Sequence, residues 1–374
     1  LTAVAARLRE QIRESDLIAR LGGDEFVIIL SKISATAPVA GVLEKIRLVL
    51  AQPFVLESYE LSVTASMGVS VYPADGSDRE LLLRNADAAM YHAKDAGRDG
   101  WSFYSTDMNR QTRRRLQLST GLRQAVQQQQ FMLVYQPQVN LETGRISGIE
   151  ALIRWHHPEH GLIGPLEFLP EAEAFGLMGD ISEYVLREAA NQQIAWRDQG
   201  IQLNSCVNLA SSQLSLEGLA GRYRDIVREA GLEPANFTFE VIEQDLSDPS
   251  APHLATIKSL RNHGFRICLD DFRVAASSLS TFEHLPFDEI KIHASALHKA
   301  RKDKVAMSVL AAVTGLAHNL GMSVCAAGVE DQETFRFLRT IECDKMQGFL
   351  ISEAVLPNII RRVYSAKSRE DTAA

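Results

Sequence analysis

Short apolar runs recur along the chain from residue 131 onward, and segments with helix-compatible spacing lie between most of them. Each run has the length of a buried strand, and the alternation of strand and helix is typical of a parallel α/β architecture. The predicted strands are residues 131–136, 148–154, 204–209, 237–242, 266–270, 288–292, 322–326 and 344–346. This pattern predicts an α/β fold closed into a (β/α)8-like barrel.

The first hundred residues show a different pattern, in which two β-prone runs flank a glycine turn. Leu17–Leu21 and Phe26–Leu30 are apolar, and Gly22 and Gly23 between them permit the positive φ of a tight turn. A helical run follows over Val39–Leu50. The pattern therefore predicts a β-hairpin within a smaller α/β domain that precedes the barrel.

The changes of pattern divide the chain into segments. The predicted segments are a partial α/β domain at 1–105, a connecting helix at 106–130, the barrel at 131–364 and a frayed tail at 365–374. Residues 305–329 contain no Asp, Glu, Lys or Arg and are long enough to cross a bilayer. Because their pattern changes from helix-like to strand-like at Gly321, we interpret them as a buried helix–strand unit.

Composition narrows the class of protein. Apolar residues make up 46% and charged residues 23% of the 374 residues, which is typical of a folded chain rather than a disordered one. The net charge of −8 argues against a general nucleic-acid binder, so no nucleic-acid partner is expected. The 4 cysteines form no Cys-x-x-Cys pair, so we expect reduced, buried thiols and a cytoplasmic protein, with an upstream membrane anchor or sensor left open.

Carboxylates interrupt the predicted barrel strands. Glu150 and Glu240 lie within apolar runs, and Asp270 and Asp271 directly follow another. Chemistry in such barrels gathers at the carboxyl ends of the strands, and a buried carboxylate needs a counter-charge, so these acids predict a site for a hard cation such as Mg²⁺ or Mn²⁺. The alternative is a set of salt bridges to Arg154, Lys291 or Arg266.

A series of motifs runs through the barrel region in a fixed order. They are Tyr135-Gln136-Pro137, Glu150-Ala151-Leu152-Ile153-Arg154, Val207-Asn208-Leu209, Glu240-Val241-Ile242-Glu243, Asp270-Asp271-Phe272, Lys291, Gly328-Val329-Glu330 and Gln347-Gly348. In order and spacing they resemble the EAL domain family over about residues 116–364. The resemblance implies a barrel that binds cyclic di-GMP and that, in active members, hydrolyses it to linear pGpG with two Mg²⁺ or Mn²⁺ ions.

The resemblance also implies a role for each matching residue. Glu150, Asn208, Glu240 and Asp270 correspond to ligands of a first metal ion, and Asp271 corresponds to a ligand of a second. The remaining assignments are Lys291 as the group that orients the attacking water, Leu152, Arg154 and Gln347 as ligand-binding residues, and Glu243 as support for the loop after the aspartates.

The chain departs from the family pattern near the catalytic positions. Ala327 stands where the pattern has a glutamate, the candidate general base or metal-site acid, and an alanine can neither take up a proton nor hold a metal-bound water. Losing a general base typically slows a reaction by ~10²–10⁴-fold. The other departures are Arg273-Val274-Ala275-Ala276 in place of Gly-Thr-Gly-Tyr, His293 in place of aspartate and Ala210 in place of serine.

A second signature lies near the start of the chain. Its residues are Gly22, Gly23, Asp24, Glu25 and Phe26, followed by Lys94 and Arg98. They resemble the GGDEF domain, the diguanylate cyclase module, which implies metal binding by Asp24 and phosphate contacts by the two cations. Arg13 and Asp16 match that family's inhibitory cyclic di-GMP site or, alternatively, form a surface pair at helical spacing. Because the resemblance covers only the later part of such a domain, we expect no competent cyclase.

The sequence leaves three functions open. The leading hypothesis is a cyclic di-GMP signalling protein whose EAL domain binds the dinucleotide while its phosphodiesterase activity is lost or weak. The second is an active metal-dependent phosphodiesterase, in which Glu330 or His293 replaces the missing base. The third is a protein-interaction module that needs no nucleotide. A homodimer through either domain and a protein effector are further partners that the resemblance allows.

Overall fold

The computed structural model describes residues 1–33, 37–56, 59–95, 97–242, 253–273 and 287–370. The chain divides into two compact units, Leu1–Gln117 and Leu118–Ala374. Four positions to which the sequence drew attention lie outside the described residues, and they are Glu243, Val274, Ala275 and Ala276.

The described part of the first unit contains three helices and three two-stranded sheets. β1 (Leu17–Gly22) and β2 (Glu25–Ile29) form the antiparallel hairpin predicted from the glycine turn. The other elements are α1 (Thr2–Glu10), α2 (Ala37–Leu50), the antiparallel pair β3 (Phe54–Leu56) and β4 (Tyr59–Leu61), the parallel pair β5 (Ser66–Val69) and β6 (Gly100–Phe103), and α3 (Arg79–Asp95). Small sheets cover little apolar surface, and Leu17 and Ile29 accordingly remain exposed.

The helix α4 (Thr106–Gln127) occupies most of the segment predicted as a connecting helix. The division between the two units falls inside it, after Gln117. Leu118, Leu122 and Ala125 recur at helical spacing and are buried in the core of the second unit. The end of this helix is therefore part of the second unit's core.

The second unit contains a closed barrel of eight strands, which confirms the predicted fold class. In ring order the strands are β8 (Ile146–His157), β10 (Asn204–Asn208), β11 (Phe237–Ile242), β12 (Arg266–Phe272), β13 (Glu289–Ile292), β14 (Ser323–Ala327), β15 (Lys345–Gln347) and β7 (Phe131–Asn140). β7 is antiparallel to both of its neighbours, whereas all other neighbouring strands in the ring are parallel. β9 (Gly161–Ile163) extends β8 as an antiparallel hairpin outside the ring.

Helices lie between most of the barrel strands. They are α5 (Pro165–Ala174), α6 (Met178–Arg197), α7 (Ser211–Leu214), α8 (Leu219–Glu229), α9 (His253–Asn262), α10 (Ala294–Lys302), α11 (Lys304–Asn319), α12 (Gln332–Thr340) and α13 (Pro357–Glu370). α11 and β14 form the predicted helix–strand unit over the uncharged segment. In the part of the chain that the structure describes, no helix is long and apolar enough to cross a membrane. α13 runs into the segment predicted to fray.

The strand faces that point into the barrel carry charged and amide side chains. Lys291 on β13 contacts Glu150 on β8, and these strands lie on opposite sides of the ring, so both side chains point into the lumen. Alternate residues of a strand share a face, and the intervening Phe239 and Leu269 are buried on the outer side, under the helices. The apolar core therefore surrounds the barrel and leaves its interior for polar chemistry. All 4 cysteines are buried free thiols, as predicted.

Candidate functional site in the barrel lumen

Lys291 lies at the centre of a buried group of charges. Its Nζ donates to Glu150 Oε2 at 2.7 Å and to Glu240 Oε2 at 2.8 Å, and it lies 4.0 Å from Asp270 Oδ2. These four residues are called the Lys291 cluster. Of the two alternatives left open by the sequence, salt bridges are present, with Lys291 as the cation. Burial disfavours charged Lys291, but the carboxylates outweigh it and raise the lysine pKa well above its ordinary value.

Glu150 receives more hydrogen bonds than the other acids of the Lys291 cluster. Besides Lys291, Asn208 Nδ2 donates to its Oε1 at 2.9 Å and Gln347 Nε2 donates to its Oε2 at 2.7 Å. Burial alone would raise the pKa of Glu150, but Lys291 and the two amides lower it to about 2. Glu150 is therefore held as a carboxylate, and the structure brings together three residues that the resemblance places in one site.

Two glutamines of β7 hold the Gln347 amide through hydrogen bonds. Gln138 Nε2 donates to Gln347 Oε1 at 3.1 Å, while Gln347 Nε2 donates to Gln136 Oε1 at 2.9 Å. Gln138 is fully buried, and Gly148 lies so close that a Cβ there would come within 2.9 Å of the Gln138 Oε1. Sequence reasoning assigned neither glutamine a role. The signal was their alternate spacing in an otherwise apolar strand, which places both on the lumen face.

A β-bulge separates the two aspartates of β12. Leu269 pairs with Ile290 and Phe272 with Ile292, so Asp270 and Asp271 lie opposite Lys291 alone. Asp271 adopts a left-handed φ of 57°, and its backbone N–H donates to Asp270 Oδ1 at 2.7 Å. Because a bulge re-aims neighbouring side chains, Asp270 approaches Lys291 while Asp271 makes its contacts elsewhere. The strand predicted from the sequence, 266–270, ends inside this irregularity.

Glu240 provides the strongest structural indication for a cation. Its Oε1 is buried and has no hydrogen-bond donor. Burial and the neighbouring Glu150 carboxylate raise the pKa of Glu240 well above its ordinary value. Within the described ranges, no group of three or more Asp, Glu, His or Cys side chains is arranged as a complete metal site. The unpartnered oxygen, flanked by Asn208 and Asp270 on neighbouring strands, nevertheless fits a single hard cation with oxygen ligands.

Asp271 belongs to a separate and more exposed group, called the Arg273 cluster and made of Asp271, Arg273 and His293. Arg273 Nε donates to Asp271 Oδ1 at 3.2 Å and its terminal nitrogen donates to Oδ2 at 2.9 Å. His293 Nε2 lies 3.5 Å from the same Oδ1. The structure thus places Asp271 beside a guanidinium and an imidazole, whereas the acids of the Lys291 cluster share one buried ammonium group.

The ligand-binding candidates of β8 follow one another on a single face. Glu150, Leu152 and Arg154 occupy alternate positions, so all three point to the lumen side as the strand approaches its end. Arg154 is half-buried, and partial burial lowers its pKa. Its guanidinium donates to the Ile153 carbonyl at 2.8 Å, and no acidic partner lies within ion-pair distance among the described residues. Arg154 is therefore a cation that can receive an anion.

Ala327, where the resemblance leads us to expect a glutamate, lies at the end of β14. Ala327 pairs with Gln347 in the β14–β15 register, so its methyl group faces the lumen at the level of the Gln347 amide. Glu330 lies beyond the end of β14 and is exposed. None of the contacts found among the described residues joins Glu330 to the Lys291 cluster.

The signature residues of the first unit lie at the tip of the β1–β2 hairpin. Gly22, Gly23, Asp24 and Glu25 are exposed, while Phe26 is half-buried against the small core of that unit. Arg20 donates to the Gly23 carbonyl and holds the turn. The two predicted phosphate contacts are also exposed, with Lys94 Nζ 5.1 Å from the Tyr91 ring centroid and Arg98 at a left-handed φ of 59°.

The Asp16 carboxylate accepts hydrogen bonds from nearby backbone N–H groups. It accepts the N–H of Arg13 at 3.0 Å and the N–H of Ser31 at 2.9 Å. These hydrogen bonds lower the pKa of Asp16, that from Ser31 most. The expected alternatives were a nucleotide site and a side-chain pair, and the contact observed is a turn held by the carboxylate.

Comparison with known families agrees with the fold and the order of the motifs. The sequence profile of the EAL domain matches residues 120–354, which is more than half of the chain. The chain belongs to the EAL domain family. Membership implies cyclic di-GMP binding or phosphodiesterase activity and a general dependence on divalent cations. The profile described as diguanylate cyclase, GGDEF domain, matches residues 1–100. Both resemblances drawn from the sequence are confirmed.

Several similar proteins are named for cyclic di-GMP. The bifunctional diguanylate cyclase/cyclic di-GMP phosphodiesterase MucR of Pseudomonas aeruginosa is 39% identical over 352 residues, which cover 94% of this EAL chain and 51% of that protein. A solved PaMucR phosphodiesterase in complex with c-di-GMP is 36% identical, with a TM-score of 0.61, over 65% of this chain and 99% of that one.

A calcium/cy-diGMP complex of Klebsiella pneumoniae BlrP1 at pH 8.0 is also similar. It is 26% identical, with a TM-score of 0.55, over 61% of this EAL chain and 56% of that chain. The chain spans about half the length of the curated relatives it matches.

Proposed function

We propose that the EAL barrel of this chain is a cyclic di-GMP receptor whose phosphodiesterase activity is weak or lost. Family membership supports the ligand, and the similar PaMucR structure is a c-di-GMP complex. The reduced activity is inferred from this chain's own residues. The whole protein's partners, including a second copy or a protein effector, stay predictions.

The residues proposed to bind the ligand support a receptor function. Arg154 presents a half-buried guanidinium whose hydrogen bond goes to a backbone carbonyl, and a phosphate would supply the anion that it lacks within the described residues. Charge-assisted, bidentate contacts of this kind are among the stronger hydrogen bonds in proteins. Glu150 and Gln347, oriented by the glutamines of β7, supply a preorganised acceptor and amide on the same side of the lumen.

The observation that carries the loss of activity is the place of Ala327. Its side chain faces the lumen beside Gln347, where the family pattern has the candidate general base, and a methyl group cannot accept the proton of an attacking water. The exposed Glu330 makes no described contact with the Lys291 cluster, so the structure offers little support for it as a substitute.

A divalent cation fits the acids of the Lys291 cluster. Glu150, Asn208, Glu240 and Asp270 would hold it, and the unpartnered Glu240 Oε1 is the clearest point of attachment. When bound, such a cation polarises a phosphoryl oxygen and lowers the pKa of coordinated water. Lys291 holds Glu150 and Glu240 in place and is positioned to orient a water among them.

An active phosphodiesterase is the second candidate. The complete Lys291 cluster favours it, because binding alone does not require so many buried charges, and burying them is costly. The protein-interaction module is the third, and the same cluster argues against it. The identity of the cation, Mg²⁺ or Mn²⁺, stays open in each case.

Calorimetric titration of the chain with cyclic di-GMP, in Ca²⁺ and in Mg²⁺, tests the proposal. We expect binding in both ions and little pGpG in the Mg²⁺ cell. Arg154→Ala should weaken binding by ~10–100-fold, as expected for the loss of a charge-assisted contact. Rapid formation of pGpG would establish the enzyme instead, and a folded chain that binds in neither ion would leave the interaction module.

Two variants at position 327 distinguish the effect of a proton acceptor from the effect of a larger polar side chain. Ala327→Glu supplies a base, whereas Ala327→Gln supplies similar bulk and polarity without one. We expect both to bind the dinucleotide and only Ala327→Glu to hydrolyse it faster than wild type. Equal rates in the two variants would show that the missing base is not the defect that limits hydrolysis.

A further inference from the structure

Two departures from the family pattern meet at one carboxylate. Arg273 stands in place of a glycine and His293 in place of an aspartate, and these positions lie on different segments of the chain. In the structure both side chains approach Asp271, the residue that corresponds to a second-metal ligand. One departure adds a permanent positive charge, and the other replaces an acidic group with an imidazole.

Both oxygens of Asp271 are already occupied. Arg273 engages Oδ1 at 3.2 Å and Oδ2 at 2.9 Å in a bidentate pair. His293 Nδ1 lies 2.8 Å from Ser295 Oγ and accepts the Ser295 backbone N–H at 3.2 Å, so the neutral ring carries its proton on Nε2. That Nε2 lies 3.5 Å from Asp271 Oδ1. Donors therefore face Asp271 from two sides, whereas Glu240 Oε1 in the Lys291 cluster has none.

We propose that the Arg273 guanidinium, assisted by His293, takes the place of a second divalent cation at Asp271, so that this barrel binds one divalent cation instead of two. A divalent ion at Asp271 would have to displace the guanidinium from both carboxylate oxygens and remain close to its positive charge. The absence of a carboxylate at His293 removes a further oxygen ligand, which a hard cation prefers over an imidazole. The Lys291 cluster keeps its unpartnered oxygen for the single ion.

This inference deepens the proposed function and rests on it for the cation site at Glu240. It concerns the number of ions and not the nucleotide, so its test needs neither cyclic di-GMP nor hydrolysis. A failure of nucleotide binding would overturn the proposed receptor function and leave the number of bound ions unaffected. A different number of ions would overturn this inference and leave the receptor function unaffected.

The experiment is a titration of the nucleotide-free chain with Mn²⁺, with free Mn²⁺ followed by electron paramagnetic resonance. We expect about one bound Mn²⁺ per wild-type chain, at the unpartnered Glu240 Oε1 of the Lys291 cluster. In wild type, Asp271→Asn should leave the number and affinity of bound ions unchanged, because Arg273 already occupies this carboxylate. Two ions in wild type, one of them lost in Asp271→Asn, would overturn the proposal, as would a wild-type chain that binds none.

Substitutions of the displacing groups give the complementary test. Arg273→Ala combined with His293→Asp should create a second Mn²⁺ site that binds at least ~10-fold more tightly than any second site in wild type, because a cation is removed and an oxygen ligand added. Arg273→Lys is the matched control that keeps the charge and should gain no site. Asp271→Asn in the double variant should abolish the gain.

The variants are suited to this comparison because the Arg273 side chain is 48% exposed, so its loss leaves no cavity in the core. Thermal melts verify that each variant is folded before the titration. A folded double variant that binds the same number of ions as wild type would overturn the proposal.

Discussion

The Lys291 cluster and the Arg273 cluster each place a cation against carboxylates of the barrel strands, at nearly equal distances. The shortest contacts are 2.7 Å at Lys291 and 2.9 Å at Arg273. Their surroundings differ, since the Lys291 side chain is 4% exposed and that of Arg273 is 48% exposed. The contribution of an ion pair to stability therefore depends on its burial as well as on the distance between the charges. Water can replace a partner in the exposed cluster but not in the buried one.

The strongest test of this difference is Lys291→Met, which keeps an apolar stem and removes the charge. We expect the free energy of unfolding to fall by ~3–5 kcal/mol, because Glu150 and Glu240 stay buried without their counter-charge. Urea unfolding in EDTA at neutral pH measures the change. A loss below ~1 kcal/mol would show that the buried cluster behaves like an exposed pair.

Lys345→Met is a matched control in the same lumen. Lys345 Nζ lies 2.5 Å from Glu289 Oε2, and the Glu289 side chain is 6% exposed. This variant should also destabilise the fold, since the buried Glu289 carboxylate keeps the Ser323 hydroxyl as a donor but loses its counter-charge. Cyclic di-GMP titration of the folded Lys345→Met variant should show unchanged binding, because none of the contacts among the described residues joins the Lys345 side chain to a proposed ligand-binding residue.

A second test uses the acid range. The pKa of Glu150 is lowered from an ordinary 4.5 to about 2, so the stabilisation it contributes is complete above about pH 4.5 and is lost as the pH falls toward 2. Glu240, with its raised pKa, acts in the opposite direction and loses its contribution as the pH rises. We expect the unfolding free energy in EDTA to fall more steeply below pH 4.5 in wild type than in Glu150→Gln. Equal slopes would contradict the assignment.

Gln138→Leu tests the neutral part of the buried network. We expect a loss of ~1–3 kcal/mol in unfolding free energy, because the Gln347 Oε1 loses its buried donor. Gln199→Leu is the control, since the Gln199 side chain bonds to a carbonyl on the exposed surface and its loss should change stability by less than ~0.5 kcal/mol. Equal effects of the two substitutions would argue that the orientation of Gln347 needs no support from β7.

The smallest effect is expected for Arg273→Ala. The pair with Asp271 is exposed, so the unfolding free energy should change by less than ~1 kcal/mol even though the contact is bidentate. Urea unfolding under the conditions used for Lys291→Met makes the two values directly comparable. A loss above ~2 kcal/mol would remove the contrast between the two clusters.

Much of the architecture could be predicted from periodicity. All eight predicted barrel strands are present within a few residues of their expected bounds, and the hairpin at Gly22 and Gly23 forms as expected. These features depend on local propensity and on the burial of strand faces, both of which are visible in a single sequence. The role of the last turns of α4 was not visible, because the apolar positions at Leu118 and Leu122 do not reveal which unit buries them.

The candidate site was predictable residue by residue but not in its pairings. The motifs identified Glu150, Asn208, Glu240 and Gln347, and the structure brings them into one hydrogen-bonded group. The part played by Gln138 was missed, since a glutamine in an apolar strand has no fixed partner until the barrel closes.

By itself, the sequence determined the order of strands and helices, the family and the candidate residues of the site. The tertiary structure alone decided that Lys291 crosses the lumen to two carboxylates and that a bulge turns Asp271 toward Arg273 and His293. The physical reason is that periodicity records which face of an element is buried. Which charges meet, and how far water is excluded from them, depends on closure of the ring and on burial, and these arise only when distant strands come together.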